Sequence, residues 1–375
     1  MMRRKKMLSA VLSAALALPL VPAGTAATPA SGSGDEFYHP VPMPPLPATL
    51  EAPEPPEPDT TIQLTEGTQE ELVEAIQNAQ GGGHVTKIIL KADTGVVIDS
   101  ELPHFDLTDG KVLVIDFNGG WIEYQYPTRL WFEAQLTAPQ NVSSIGSSGG
   151  DAVLHFASAL PAGLQVGDYV KVVSEDRPPG GRSNYLKLGE AMKVKAINGL
   201  SVTLEGRLLQ QDLYKTSIRA AKFQGAPEGL WLIRPKLKAD LSYDIHQIRL
   251  VSLVRPRIIE PDVSRSRGQL INLENTVEAV ITDPLLYDGV DGAFPNTTYG
   301  IYSFASKNNW VYRTDGSTIA SNAPGLRHGI DSGANTPQSQ SQLYRYGNDI
   351  GFRVTGLQLW DSLNVNASLH SGSWG

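Results

Sequence analysis

The chain has 375 residues, a formal net charge of −8, 41% apolar and 19% charged side chains, and no cysteine. This is the composition of a globular protein and excludes wholesale disorder, while an acidic balance without a basic stripe excludes a nucleic-acid phosphate backbone as partner. The missing cysteines remove disulfides, thiolate nucleophiles and cysteine zinc sites, so any nucleophile or ligand must be oxygen or imidazole.

The amino end, "MMRRKKMLSAVLSAALALPLVPAGTAA", sets Arg3, Arg4, Lys5 and Lys6 before an apolar stretch from Leu8 to Leu20 and small residues at 25–27. That stretch is short for a bilayer span, and residues 1–27 read as a cleaved signal peptide. Lys5 and Lys6 stand where a twin-arginine signal prefers apolar residues, which favours the general secretory route. The expected location is secreted or cell-wall associated, with no membrane attachment after cleavage. Residues 28–60 carry ten prolines and predict an extended linker.

The folded region is expected over 61–375. It opens with "TQEELVEAIQNAQGGG", where Thr68 and Glu71 form a capping box. Leu72, Ile76 and Ala79 make one apolar face, and Gly81 to Gly83 stop the helix. Short apolar strands follow in "KIILKA", "KVLVIDFNGGWIEY", "RLWFEA" and "NVSSI", too closely spaced for crossover helices. Parallel pairing without such helices requires a solenoid. In the second half, "LWLIRPKL", "SLVRPRII", "AVITDPLL" and "FRVTGLQL" repeat a strand against a turn residue at Pro235, Pro256, Pro284 and Gly356. The first two intervals, 21 and 28 residues, fall in the range of stacked coils, and the prolines are explained by bends rather than chemistry.

Between these sets, "LQVGDYVKVVSEDRPPGGRSNYLKLGEAMKVKAINGLSVTLEGRLL" alternates with period two, which predicts an inserted antiparallel lobe at about 162–216. Asn198 with Gly199 marks its hairpin turn, and 175–183 a surface loop.

The helix "EELVEAIQNAQGGG" followed by the coil "VLVIDFNGGWI" resembles the single-stranded right-handed parallel β-helix proteins of the pectate-lyase-like superfamily. The segments "VGDYVKVVSED", "GEAMKVKAINGLSVTL", "YGIYSFASKNNWVYRTDG" and "LRHGIDSG" are more particularly similar to β-helix proteins of phage tails and their secreted bacterial relatives. The resemblance implies an all-β solenoid with an N-terminal capping helix and an inserted lobe. It also implies a long cleft on one helical face where polysaccharide is bound, and often cleaved by lyase or hydrolase chemistry. No complete catalytic signature accompanies it.

Elimination at a uronate needs a cation for the carboxylate, a base for the adjacent proton and a donor for the leaving oxygen. His328 and His370 are the proton-transfer candidates, and Arg327, Tyr299, Tyr344 and Arg353 the substrate-binding ones. Arg327 and His328 point to opposite sides of a regular strand, so His328 is equally readable as a scaffold imidazole. His370 is expected one or two coils above His328. A glycoside hydrolase would instead pair two of Asp283, Asp288, Asp291, Asp315, Asp331 and Asp361, and a noncatalytic glycan-binding module would need neither set. Asp288 and Asp291 read as an Asp-Gly turn, no metal site is expected, and neither a cofactor nor an oligomeric state is specified. The ending "SLHSGSWG" lacks a cap, so an exposed last coil, as in a fragment, is the expectation.

Overall fold

The computed structural model describes residues 51–375, apart from 82–83, 109, 178–186, 240–244, 266, 288–298, 316–327, 334–341, 348, 355–366 and 370–375. The proposed signal peptide and most of the linker lie outside the described residues. So do Gly356 and the end of the last coil. No helix among the described residues is long and apolar enough to cross a membrane.

The chain is an all-β solenoid whose coils pass in turn through three parallel sheets. Sheet I has eight strands: Thr60–Gln63, Val85–Ile89, Val112–Asp116, Leu230–Ile233, Arg257–Ile259, Val280–Thr282, Trp310–Tyr312 and Arg353–Val354. Sheet II has five: Gly95–Ile98, Trp121–Tyr124, Lys236–Ala239, Asp262–Ser264 and Leu285–Tyr287. Sheet III has seven: His104–Asp106, Leu130–Glu133, Ile248–Val251, Gln269–Glu274, Tyr299–Phe304, His328–Gly333 and Ala367–Leu369.

Alternation of side chains along each strand explains the stack, because every second residue points into the solenoid and meets its counterpart in the next coil. Ile88, Ile115, Leu232, Ile258, Ile281 and Val311 form one such inner ladder. Leu130, Ile248, Ile271, Ile301 and Ile330 form another in sheet III. All belong to one continuous core cluster, the driving force for stacking.

The corners need left-handed backbone, and ordinary residues supply it. Arg234, Glu260 and Asp283 stack at one corner with φ of 52°, 51° and 48°. Ser252, Asn275 and Ala305 stack at a second, and Arg255, Glu278 and Asn308 at a third. The strain is offset because these amides donate to the next coil, as Arg234 does to Ile259 at 2.7 Å and Glu260 to Thr282 at 2.9 Å. One column of prolines lies beside the first corner, and it is Pro235, Pro261 and Pro284: their carbonyls and following residues are linked from coil to coil. Pro256 stands instead before a sheet I strand, where its carbonyl accepts from Val280. The repeat is therefore 26 and then 23 residues at this corner, not 21 and 28.

Helix α1, Gln69–Gly81, buries Leu72, Ile76 and Ala79 as its periodicity requires. The Thr68 hydroxyl accepts the Glu71 amide at 3.2 Å, but the Glu71 carboxylate reaches past Thr68 to the amides of Thr65, Glu66 and Gly67. Burial would raise this carboxyl; those donors outweigh it and hold it below the usual carboxylate range. The last linker residues are docked: Ala52 packs against a cluster of Val85, Val112, Val114, Trp231 and Ile259 outside sheet I, and Glu51 accepts from the Tyr312 hydroxyl at 2.7 Å.

The inserted lobe is a closed antiparallel barrel of six strands, from Gln140–Ser148 to Arg219–Lys222, wider at both ends than 162–216. "NVSSI" belongs to its first strand, not to the solenoid, and pairs antiparallel with Asp151–Phe156. The hairpin loop is Gly199 and Leu200, with Asn198 still paired to Ser201; Gly199 at φ 57° supplies the first central position of a primed turn. The lobe leaves after Leu130–Glu133 and the chain returns at Leu230–Ile233, so the flanking coils still stack directly. Buried polar contacts seat it on the solenoid: Lys171 donates to Ala305 O at 2.8 Å, Lys307 pairs with Glu190 at 2.5 Å, and Tyr169 donates to Glu278 at 3.0 Å.

Candidate functional site on the outer face of sheet III

The register of sheet III aligns five outward side chains, one per coil: His104, Trp131, Arg249, Asn272 and Tyr302. The His104 and Trp131 rings have centroids 3.5 Å apart, and the Arg249 guanidinium lies 3.9 Å from the Trp131 ring centroid. Trp131 is thus held between an imidazole and a cation. Tyr302 is flanked by Tyr299 and Phe304, each with ring centroids 5.2 Å away. Tyr124, buried beneath, donates to Gln247 O at 2.8 Å and accepts from Leu130 N at 3.2 Å, which fixes the strand starts carrying Arg129 and Arg249.

Beside this row, Glu274 is 1% exposed and bridges two arginines. Its oxygens lie 2.6 Å from Arg249 Nη2 and 2.5 Å from Arg345 Nε. Arg345 comes from a short 3-10 turn, Leu343–Arg345, that also brings Tyr344 to the face. Burial, then the nearby Glu274 carboxylate, pushes the Tyr344 hydroxyl above its ordinary value, against the pull of Arg345 and Arg249. A cavity of about 250 Å³ is lined by Glu133, Gln135, Leu136, Val251, Gln342 and Tyr344. His246, at the start of the same coil, accepts from Gln269 N at 3.3 Å. Burial, with Arg129 and Arg249, pushes its pKa down to about 3, so it is neutral at physiological pH.

Three polar atoms in the central row are buried and have no hydrogen-bond partner among the described residues: Trp131 Nε1, Arg249 Nε and Asn272 Oδ1. Two donors and an acceptor, next to half-buried aromatic rings, suit a ligand with both hydroxyl groups and apolar ring faces.

Of the sequence-derived candidates, Tyr299 and His328 are register partners on adjacent coils of sheet III. The side chain of His328 lies outside the described residues, as do Arg327 and His370. Leu369 pairs with Ser332, so the end of its strand is aligned about four residues beyond His328, roughly 13 Å along the strand. Tyr344 joins the groove beside Glu274 and Arg345. Arg353 does not: its strand belongs to sheet I, and its guanidinium sits 5.3 Å from the Trp310 ring. Among the aspartates, Asp283 accepts the amide and hydroxyl of Thr314 at 2.9 and 2.8 Å, and Asp315 pairs with Arg313 at 3.2 Å. Both are engaged near the edge of sheet I rather than in the sheet III row. Asp288, Asp291 and Asp361 lie outside the described residues. His104, Trp131, Arg249, Asn272, Glu274 and Arg345 were not anticipated; the alternation in "RLWFEA" marks Trp131 as outward, but nothing local marks its neighbours.

No family model matches the chain, and no curated protein sequence matches it. Among solved structures, the tailspike protein gp49 from Pseudomonas phage LKA1 is similar, with a TM-score of 0.58 and 16% identity over 81% of this chain and 47% of that one. The gp54 tailspike of Acinetobacter baumannii bacteriophage AP22, in complex with A. baumannii capsular saccharide, has a TM-score of 0.53 and 15% identity over 76% of this chain and 43% of that one. The chain is a parallel β-helix protein, similar in fold to these phage tailspikes. It spans less than half the length of either.

Proposed function

We propose that the protein is exported, binds an extracellular polysaccharide along the outer face of sheet III, and cleaves it by lyase-type elimination. The single observation that carries the binding is the aligned row from His104 to Tyr302, with unpartnered polar atoms at Trp131, Arg249 and Asn272. A row with one residue per coil repeats at the strand spacing of about 4.8 Å, close to a sugar unit, so it suits an extended polymer better than a compact molecule. The complex of the AP22 tailspike with capsular saccharide supports the same reading.

Elimination removes the proton on the carbon next to the carboxylate. The released electron pair forms a carbon–carbon double bond, the bond to the leaving glycosidic oxygen breaks, and that oxygen takes a proton. Tyr344 is the candidate for the last role, because its hydroxyl stands beside the row and is protonated at neutral pH as a tyrosine's ordinarily is. His328 is the candidate base. A panel of acidic and neutral polysaccharides tests the reading: products absorbing as unsaturated uronates are expected, with retention lost in Trp131→Ala. New reducing ends without that absorbance would favour a hydrolase, retention without turnover a binding module, and no retention at all would reject the reading.

A further inference from the structure

The outer face of sheet I is closed, although its outward side chains point away from the core. One outward column runs through Ile233, Ile259, Thr282 and Tyr312, and Trp231 lies in the column beside it. Trp231, Ile259, Thr282 and Tyr312 are all buried. In the apolar cluster around Trp231, Ala52 is the one described member that does not come from the sheet.

Residues 51–59, "EAPEPPEPD", run over this face. At one end the Asp59 amide donates to Val85 O, and the Asp59 carboxylate accepts from Val85 N, each at 2.8 Å. At the other end Glu51 O accepts from the Tyr312 hydroxyl at 2.7 Å. In sheet I six strand spacings separate Thr60–Gln63 from Trp310–Tyr312, about 29 Å in all. The eight steps from Glu51 to Asp59 cover about 25 Å as polyproline, and the reach of the Tyr312 side chain closes the rest. As an α-helix they would cover only about 12 Å. The chain must therefore be extended. Pro53, Pro55, Pro56 and Pro58 hold it so before it docks, and they remove amides that could pair with a strand.

The face has the donors that such a segment needs. A polyproline chain offers carbonyls and few amides, so its partner must donate. The Tyr312 hydroxyl already does. Trp231 Nε1 and Thr282 Oγ1 are buried on the same side and have no partner among the described residues. An aromatic floor with spaced donors is the chemistry by which proline-rich segments are recognised.

We propose that the outer face of sheet I is a polyproline-binding groove whose occupant is this chain's own segment 51–59. Its docking makes whatever is joined to residue 50 depart beside Tyr312, six coils from helix α1, instead of at the first strand. A pull on that tether loads the groove along its length before it reaches Thr60.

The chain has no cysteine, so a spin-label pair at Glu51→Cys and Thr60→Cys in the full chain is specific. One narrow separation of about 28 Å is expected, whereas a flexible segment of that length averages about 17 Å with a broad spread. Ala52→Arg pushes the segment off the floor without entering the solenoid core, and should shift the distribution toward the shorter value. A fluorescent peptide of residues 51–60 should then bind Ala52→Arg about tenfold more tightly than wild type, whose own segment fills the groove at high effective concentration. The same peptide with alanine at its four proline positions should bind about tenfold more weakly. A broad distribution near the flexible value without Ala52→Arg would overturn the docking. No gain of peptide binding in Ala52→Arg, or equal binding of the alanine peptide, would overturn polyproline recognition. Should Ala52→Arg fail to fold, Pro55→Gly with Pro56→Gly, which softens the segment and leaves the floor intact, takes its place with the same outcomes.

Discussion

Gly347 and Gly189 lie back to back, so close that a methyl group on Gly347 would come within 1.9 Å of the Gly189 carbonyl oxygen. Gly189 begins a barrel strand of the lobe, while Gly347 follows the turn that carries Tyr344 and Arg345 to the groove. Gly347 also has φ of 93° and donates to Lys187 O at 2.8 Å. The contact therefore seats the groove turn against the lobe. Gly347→Ala should cost on the order of 3 kcal/mol through overlap and backbone strain. It should also weaken glycan retention, since Tyr344 and Arg345 move with the turn; chemical denaturation and retention measured together check both effects.

Ile281 is fully buried in the inner ladder between Ile258 and Val311. Ile281→Asp should destabilise the solenoid by several kcal/mol, roughly 3 or more, because an isolated carboxylate has no partner there. Ile281→Val should cost only about 1 kcal/mol. Circular dichroism of the wild type should be dominated by strand, and the aspartate variant should lose that signal at lower denaturant.

Lys171 is fully buried at the junction of lobe and solenoid. Burial lowers its pKa to about 7, despite the favourable fields of Glu190 and Asp349; Lys307 adds to the lowering. Between pH 7 and about 10.4 the unfolded chain binds a proton that the folded one has released. Stability contributed by this group therefore rises with pH across that window, by up to about 1.4 kcal/mol per pH unit, and below pH 7 the full penalty of the buried charge is present. Lys171→Met should flatten the rise, as read from denaturation midpoints at pH 6, 8 and 9.5.

Tyr344→Phe keeps the ring and removes the hydroxyl. If the hydroxyl protonates the leaving oxygen, turnover should fall about a hundredfold while retention on the glycan stays close to wild type. A loss of retention with unaltered turnover per bound chain would instead make Tyr344 a binding residue.

His328→Gln should abolish turnover and leave folding and binding nearly intact. An unfolded variant, or one that keeps the wild-type rate, would return this histidine to the scaffold. If Arg327 binds an acidic group of the glycan, Arg327→Ala should weaken retention, and the loss should shrink as salt is added, because ions screen a charge contact.

The sequence by itself determined the class of architecture and its local devices. The Thr68 and Glu71 pattern starts the helix, period-two alternation marks the strands, and Gly199 turns its hairpin, because each depends on residues only a few positions apart. Local punctuation does not carry register. Pro256 looks equivalent to Pro235 in its "RP" context, yet stacking pairs Pro235 with Pro261, since the burial of Leu232 against Ile258 decides the alignment. For the same reason the sequence could not tell that Tyr299 would stand in sheet III and Arg353 in sheet I. The row of His104, Trp131, Arg249, Asn272 and Tyr302 spans steps of 27, 118, 23 and 30 residues, the longest containing the whole inserted barrel. Only the tertiary structure could assemble it: inner apolar ladders choose the register, and outward side chains become neighbours as a consequence of a core they do not enter.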